Sequence, residues 1–131
     1  MARLKWRGRF ENDELNALHA ECFEHALLDD DWWRQVSTHS LGWVTARLAG
    51  RLVGFVNVAW DGGVHAFLLD TMVTGSMRGH RLATRIVAVA GRNAADAGCE
   101  WLHVDFEPHL GDFYLGSCRF SATSAGLLRL R

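Results

Sequence analysis

The sequence predicts an α/β (α+β) fold, and two stretches carry that prediction. Leu68 to Val73 is a compact apolar run typical of a buried strand. A glycine-containing turn follows it, and from about Arg81 apolar residues recur at helical spacing. Trp43 to Leu48 and Leu52 to Trp60 are two further strand-like runs joined by Ala49-Gly50. Because that link is so short, the two runs are expected to form an antiparallel hairpin.

Composition limits the class of protein. The 131 residues suit one domain spanning 1–131, and 49% hydrophobic content with six Trp is typical of a globular chain. A net charge of −1 argues against general affinity for nucleic acid. No apolar run is long enough to span a membrane, and the N-terminus lacks the apolar run of a signal peptide. Three Cys without motif spacing indicate a reducing compartment, so a cytoplasmic location is expected.

The N-terminal third is expected to hold an edge strand and two helices. Leu4 to Phe10 alternates basic and bulky residues, which is typical of an edge strand. Asn12 or Asp13 can cap a first helix. One apolar face of that helix is formed by Leu15, Leu18, His19, Cys22 and Ala26. Asp29 to Asp31 suit the start of a second short helix ending near His39. Simple capping is the favoured interpretation of these acids, and an acidic lip beside Trp32 and Trp33 that attracts an amine is the alternative.

The rest of the chain is expected to alternate strands and helices. Asp61 to Gly63 forms a turn, and His65 to Val73 is the next strand. After the helix that begins near Arg81, Trp101 to Phe106 forms another strand. The sequence then predicts a helix from about Gly111 to Cys118 and a last short hairpin, formed by Phe120 to Thr123 and Leu127 to Leu130.

The turn between Val73 and the following helix is suited to binding phosphate. The first N–H groups of a helix lack intrahelical partners, and the helix dipole is positive there. Gly79 permits a close approach, Ala83 nearly so, and Arg78 and Arg81 add positive charge. The local pattern equally fits an ordinary β-to-α connection that leads into a solvated basic helix.

Two motifs in this region resemble one enzyme family. VTGSMRGHRLA, from Val73 to Ala83, resembles the acetyl-CoA-binding motif of the GNAT superfamily of N-acyltransferases, with Arg at position 81 where the family usually has Gly. GDFYLGSCRF, from Gly111 to Phe120, resembles the family helix that carries a Tyr shortly before Gly-Phe, with Arg119 in place of that Gly. Two motifs in the right order are much more specific than either alone.

The resemblance implies a fold and a cofactor site. The implied fold is a mixed, mostly antiparallel sheet with a central splay that admits acetyl-CoA, flanked by about four helices. It implies backbone contacts to the pantetheine arm from Thr71, Met72 and Val73. It implies pyrophosphate contacts from Gly79, His80, Arg81, Leu82, Ala83 and Thr84, next to the charge of Arg78. Binding tolerates Arg81 if its backbone is helical there, because the N–H is kept.

The resemblance also implies N-acetylation of an amine, by direct attack in a ternary complex. Tyr114 lies at the family position of the general acid that protonates the leaving thiolate. The candidate bases are ranked Glu107, Asp105 and Asp70. An acid such as Asp70 inside an apolar strand is costly to bury without a partner, and a structural hydrogen bond explains it equally well. His103, Asp105, Glu107 and His109 alternate like metal ligands, but Pro108 breaks the strand, so no metal is expected.

Partners follow from the same resemblance. The acceptor is expected to be a primary amine of a small molecule or peptide, bound between the first two helices and the end of the strand that precedes Glu107. A homodimer is left open, and no nucleic acid or membrane partner is expected. The alternative function is a non-catalytic acyl-CoA-binding or dimerisation module with the same fold, which the Arg residues at positions 81 and 119 leave open.

Overall fold

A computed structural model of the chain describes residues 1–79 and 81–131 and contains a five-stranded sheet in the order β1-β2-β3-β4-β5. The strands are β1 (Arg3–Trp6), β2 (Ser40–Leu48), β3 (Arg51–Trp60), β4 (His65–Val73) and β5 (Trp101–His103). The helices are α1 (Asn12–Phe23), α2 (Trp32–His39) and α3 (Leu82–Asp96). Shorter helical turns cover Gly75–Met77, Pro108–Leu110 and Asp112–Ser117. None of the helices in the described residues is long and apolar enough to cross a membrane.

The sheet is mixed and mostly antiparallel, as expected. β1, β2, β3 and β4 pair with their neighbours in antiparallel fashion, whereas β5 pairs with β4 in parallel. The predicted β2–β3 hairpin forms around Ala49-Gly50, where both residues have positive φ. β4 has the predicted bounds, and β2 begins three residues earlier than its apolar run.

The two faces of the sheet are covered by different helices. α3 packs Ile86, Val87 and Ala90 into a cluster with Val56 and Val58 of β3. On the opposite face, α1 and α2 form a second cluster with Phe55 and Met72, among other residues. Because successive side chains of a strand point to opposite faces, β3 contributes Phe55 to one core and Val56 to the other. Each face of β3 is therefore apolar, and α3 covers one face while α1 and α2 cover the other.

Local contacts set the ends of the first two helices. Glu11, rather than Asn12 or Asp13, precedes α1, and its N–H donates to Glu14 Oε2 at 2.9 Å. The helix stops at Phe23 because Glu24 adopts the left-handed conformation, with φ 53°. Ala26 therefore lies beyond the helix and not on its apolar face. Asp31 caps α2, as the capping interpretation predicts, by accepting from Arg34 N at 3.1 Å.

Three predicted elements differ from the structure, and a fourth, the last helix, is present in another helical form. β1 ends at Trp6 because Arg7 turns the chain with φ 57°. β5 ends at His103, well short of Phe106. The predicted hairpin beyond Phe120 is not formed, and Leu127, Leu128 and Leu130 are 83–85% exposed, so no core face stabilises it. The predicted helix from Gly111 is instead a π-helical segment at Asp112–Ser117, preceded by a short 3-10 turn.

Candidate active site

β4 carries a bulge in the middle of its pairing with β3. Phe55 pairs with Met72 and Asn57 pairs with Leu69, so two residues of β4, Asp70 and Thr71, lie opposite one residue of β3. Asp70 adopts φ 58°, a conformation that L-residues other than Asn and Asp rarely tolerate. The bulge re-aims the side chains of Asp70 and Thr71 and disrupts the regular ladder.

The two parallel strands separate immediately before this bulge. β5 pairs with β4 only at His65, Ala66 and Phe67, and β5 ends there. In the described residues, β4 continues to Val73 without a strand on that side. On the side away from β3, the peptide groups of β4 from Leu68 onward therefore have no strand partner among the described residues, and a linear ligand can pair with them there. This is the expected splay, and it lies at the edge of the observed sheet because no strand follows β5 in the part of the chain described.

Tyr114 reaches this opening from the π-helical segment. Its hydroxyl donates to Thr71 Oγ1 at 3.2 Å, directly beside the bulge. Phe106 stacks on its ring at 4.9 Å between centroids, and Phe120 packs edge-on at 5.9 Å. The residue is only 6% exposed, and burial raises the pKa of its phenol. A protonated, fixed hydroxyl is what a proton donor at this opening requires.

Asp70 lies at the same bulge and is directed towards α1. Its Oδ1 is 4.0 Å from His19 Nε2, and its side chain is 27% exposed. Burial raises the pKa of this carboxyl, while His19 and the side chain of buried Asn57 oppose the shift. Asn57 Oδ1 accepts from Ser40 Oγ, so the amide end of Asn57 is left for the carboxylate. A carboxyl whose pKa is raised in this way is a better proton acceptor than an exposed one.

The other two candidate bases are placed differently. Asp105 and Glu107 are exposed residues in the segment that follows β5. Glu107 directly precedes the turn at Pro108–Leu110 and does not cap it with its side chain. The charge of Asp105 contributes to the raised pKa of Tyr114, after burial and Cys118. Of the three acids, Asp70 alone is part of the bulge that Tyr114 contacts.

The turn after β4 is fixed to α1 by one carboxylate. Glu21 accepts from Gly75 N at 2.7 Å and from Thr74 Oγ1 at 3.0 Å. These hydrogen bonds, the one from Gly75 first, lower the pKa of Glu21. The thiol of Cys22 donates to the carbonyl of Val73 at 3.4 Å. The end of β4 and the first residues of the turn that is predicted to bind phosphate are thus held against α1.

The start of α3 is open to an anion. Gly79 has φ 83°, and a Cβ added there would meet nothing within 4 Å. Arg81 precedes the helix with φ 59° and ψ 16°, so its backbone is left-handed, and the helical backbone that was the condition for tolerating Arg at this position is not present. The side chain of Arg81 makes no capping hydrogen bond to the first turn, formed by Leu82, Ala83 and Thr84. His80 lies outside the described residues.

The acidic run and its tryptophans have structural roles. Asp31 caps α2 and accepts from Asn12 Nδ2 at 3.0 Å, while Asn16 binds the backbone of Asp30. Trp32 is 6% exposed, and Trp33 packs against Phe10 and Trp43. The guanidinium of Arg9 lies over the Trp33 ring, 5.5 Å from its centroid, so a face expected to hold an amine already carries a cation. Asp29 and Asp30 remain exposed charges beside α2.

One part of the site was missed by sequence reasoning. His19 was assigned only to the apolar face of α1, yet it meets Asp70 from across the core. His25, in the loop that follows α1, lies with its Nε2 2.6 Å from Nδ1 of His19. A histidine on an otherwise apolar helical face was the available signal, and nothing in the sequence linked it to an acid 51 residues away. In the described residues, no three His, Cys, Asp or Glu side chains form a group that could hold a metal ion.

Comparison with known proteins relates this geometry to one family. The profile described as the Acetyltransferase (GNAT) family matches residues 9–114. A solved structure of a probable acetyltransferase from meticillin-resistant Staphylococcus aureus superposes with a TM-score of 0.81 at 17% identity, covering 100% of this chain and 99% of that one. Among curated proteins, none matches the sequence closely enough to count as a relative.

Two further solved structures have the same architecture. An aminoglycoside N-acetyltransferase in complex with CoA superposes with a TM-score of 0.80 at 16% identity, covering 100% of this chain and 95% of that one. Glucosamine-6-phosphate N-acetyltransferase from Arabidopsis thaliana gives a TM-score of 0.75 at 16% identity, with 97% of each chain covered. At these identities the likeness shows the fold, which is the mixed sheet with about four helices predicted from the sequence.

Proposed function

Because the chain belongs to the GNAT acetyltransferase family, we propose that it transfers an acetyl group from acetyl-CoA to a primary amine of a small molecule or peptide. The bulge of β4 is the observation that carries the proposal. In it Thr71 contacts Tyr114, and the adjacent, half-buried Asp70 is directed towards α1, beside the gap between β4 and β5. Acyl transfer to an amine requires a proton donor and a proton acceptor, and the bulge carries a residue that contacts the first and a residue that can serve as the second.

The residues around the gap would hold acetyl-CoA in two parts. Backbone groups of Thr71, Met72 and Val73 on the side away from β3 pair with the amide-containing pantetheine arm, and the carbonyl of Val73 does so if the thiol of Cys22 releases it. The uncapped first turn of α3, with Gly79, Leu82, Ala83 and Thr84, receives the pyrophosphate. Arg78 and Arg81 add charge to that contact. When bound, acetyl-CoA supplies an activated thioester, and no metal is required.

Proton transfer then falls to two side chains. Asp70 accepts a proton from the amine, which can attack only when it is unprotonated. Tyr114 donates its phenolic proton to the departing sulfur, and burial of its ring keeps it protonated until then. The second N–H proton, which the nitrogen loses as the C–N bond forms and the C–S bond breaks, passes through solvent to the phenolate and restores Tyr114. Asp70 ranks before Glu107 and Asp105 on geometry, because the latter two are exposed and outside the bulge. Glu107 and Asp105 remain candidate bases that would take the proton of the amine through a water molecule.

The acceptor is proposed to approach between α1, α2 and the segment after β5. Asp29 and Asp30 raise the local concentration of a cationic amine there. Amino sugars belong in the first test panel, because the structures of like fold include enzymes named for an aminoglycoside and for glucosamine 6-phosphate. Diamines and peptides with free amines complete the panel.

The test is an initial-velocity study with a thiol-release assay. Direct attack in a ternary complex gives intersecting double-reciprocal lines when acetyl-CoA and amine are varied together, whereas a covalent acetyl-enzyme gives parallel lines. Mass spectrometry must show the acetyl group on the amine. If acetyl-CoA binds in calorimetry but no amine in the panel releases thiol, the non-catalytic acyl-CoA-binding module is supported instead.

A further inference from the structure

Asp70 is the first member of a chain of three polar side chains. His19 Nε2 lies 4.0 Å from Asp70 Oδ1, and His19 Nδ1 lies 2.6 Å from His25 Nε2. The remaining ring nitrogen of His25, Nδ1, lies 2.7 Å from the backbone oxygen of Ala26. The chain therefore runs from the bulge of β4, through α1, to the backbone of the loop that follows α1.

The last contact fixes which nitrogens carry protons. A carbonyl oxygen only accepts, so His25 Nδ1 must carry the proton of that hydrogen bond. In neutral His25, Nε2 is then an acceptor, and the proton between the two rings belongs to Nδ1 of His19. Neutral His19 is left with an unprotonated Nε2, and this is the nitrogen that faces Asp70. The backbone oxygen of Ala26 thus determines the tautomer of a ring two contacts away.

We propose that His19 and His25 are positioning residues for the proton acceptor: His25 fixes the tautomer of His19, and His19 shares with Asp70 the proton that the ammonium group loses before it attacks. The proposal rests on the acetyl transfer proposed above. The N–H bond of the ammonium form breaks and an O–H bond to Asp70 forms. The proton then moves to His19 Nε2, which leaves an imidazolium beside a carboxylate. Solvent takes the proton after the acetylated product leaves, so the pair returns to its starting state.

The surroundings of His19 favour a His19–Asp70 pair that holds no shared proton at neutral pH. Burial lowers the pKa of His19, Asp70 raises it, His25 lowers it and Asp30 raises it. Phe23 and Trp32 pack on the ring at centroid distances of 4.5 and 5.3 Å. Burial, to which these rings contribute, lowers the pKa of His19, so the neutral imidazole is favoured when the site is at rest.

A direct test observes the ring nitrogens and does not depend on catalysis. In chain labelled with ¹⁵N-histidine, we expect both His19 and His25 to be in the Nδ1–H tautomer. Replacement Asp70→Asn should lower the pKa of His19, because the carboxylate that raises it is lost. An Nε2–H tautomer at His19, or an unchanged titration of His19 in Asp70→Asn, would overturn the proposal.

A kinetic test separates positioning from packing. Removal of His19 as His19→Gln should let the pKa of Asp70 rise, so the acid limb of the kcat/KM profile for the amine moves to higher pH. His25→Ala should lower kcat about 10-fold with an unchanged KM for acetyl-CoA, and His25→Gln, which keeps an acceptor oxygen for His19, should restore most of it. An unshifted profile in His19→Gln, or equal losses in the two His25 variants, would overturn the proposal.

The chain offers a matched control. His65 and His103 form a second imidazole pair at 2.7 Å at the start of β4. Neither ring forms an ion pair with a carboxylate among the described residues, although the backbone N–H of His65 donates to Asp61. His65→Gln should leave the pH profile and kcat unchanged. If the unmodified protein releases no thiol with any amine, the proposed function fails, whereas the nitrogen spectra still decide the arrangement of His19 and His25.

Discussion

Arg81 adopts a left-handed backbone conformation, which is more favourable for glycine than for other residues. It precedes α3 in the left-handed region, with φ 59°, at the position where the sequence motif usually has Gly. An L-residue in this region costs about 1 kcal/mol relative to Gly. The site therefore retains the glycine-like turn and adds an exposed guanidinium to it.

Replacement of Arg81 separates these two effects. Arg81→Gly should raise the free energy of unfolding by about 1 kcal/mol, because the strain is relieved. The same change should weaken acetyl-CoA binding several-fold, because a cation next to the pyrophosphate is lost. Thermal melts and calorimetry measure the two. Arg92→Gln, near the other end of α3, controls for net charge, and an equal loss of affinity there would remove the specific role of Arg81.

Tyr114 is expected to act in the transition state rather than in binding. Tyr114→Phe keeps the ring between Phe106 and Phe120 but removes the proton that it donates. We expect kcat to fall about 100-fold or more while the acetyl-CoA dissociation constant changes less than about twofold. Single-turnover rates and calorimetry provide the comparison. An unchanged kcat would exclude Tyr114 as the acid.

The carboxylate of Asp70 is expected to lower the free energy of unfolding at neutral pH while it supports turnover. Its folded-state pKa lies above the unfolded value, so the folded state binds the extra proton and loses stability as pH rises through that interval. Asn also tolerates the left-handed backbone at this position. Asp70→Asn should therefore increase the free energy of unfolding at neutral pH, on the order of 1 kcal/mol, while turnover falls.

The pH dependence of the stability gain shows whether it comes from removal of the half-buried carboxylate of Asp70. The stabilisation by Asp70→Asn should shrink as the pH falls below the raised pKa, because wild-type Asp70 is then neutral as well. Urea unfolding between pH 4 and 8 measures the difference. A gain that stays constant with pH would indicate a backbone effect only.

At the scale of elements, the sequence predicted best where local and long-range signals agree. The β2–β3 hairpin, β4 and α3 were found because Ala49-Gly50 suits a tight turn and the apolar spacing matches each element. β5 was over-extended because its pattern continues to Phe106, although pairing with β4 stops at His103. The bulge at Asp70 was not predicted, since it depends on the register between β3 and β4. The sequence thus identified the members of the site better than their arrangement.

One ion pair joins two elements that are distant in sequence. Arg47 of β2 donates from Nη1 and Nη2 to the two carboxylate oxygens of Glu14 in α1, each at 2.8 Å. The same guanidinium binds the carbonyls of Arg9 and Gly50. The hydrogen bonds from Arg47 lower the pKa of Glu14, and Glu14 raises the pKa of Arg47. The pair fixes α1 relative to the hairpin.

Removal of the carboxylate should destabilise the fold in a pH-dependent way. The folded pKa of Glu14 lies below the unfolded value, so its contribution is present at neutral pH and is lost as pH falls through the lowered pKa. Glu14→Gln should cost about 1 kcal/mol at pH 7 and progressively less in acid. Denaturant unfolding with Glu24→Gln as the surface control measures this. A cost that is equal at pH 7 and pH 4 would contradict it.

At the scale of the whole molecule, the site combines residues from both faces of the sheet. Tyr114 belongs to the core cluster on the α3 side, whereas Asp70 faces His19 of α1. Asp70 and Thr71 are adjacent in β4, and their side chains serve these two directions. Sequence spacing alone could not place His19 there, because contact between α1 and β4 depends on how the complete sheet orders its strands.

The C-terminal stretch contributes little to this architecture. Residues 121–131 are exposed throughout, whereas Phe120 packs on Tyr114 and its N–H donates to the carbonyl of that residue at 2.9 Å. Deletion of residues 122–131 should change the Tm by less than about 2 °C. Deletion from Phe120 onward should lower it by several degrees, because the edge-on ring contact is lost. Scanning calorimetry of both truncations tests this, and similar Tm values for the two would show that Phe120 adds nothing.

The π-helical turn that carries Tyr114 has a consequence for how this chain can change by insertion and deletion. A turn closed from one residue to the fifth after it accommodates one residue more than an α-helical turn. Loss of a single residue between Asp112 and Ser117 would be absorbed as an ordinary α-turn, with the helix intact. Side chains within the shortened turn would change direction, whereas those after it would keep their register. Deletion of Asp112 or Phe113, which precede Tyr114 in the turn, should thus yield folded variants that lack the tyrosine–threonine contact, so fold and activity can be inherited separately in this segment.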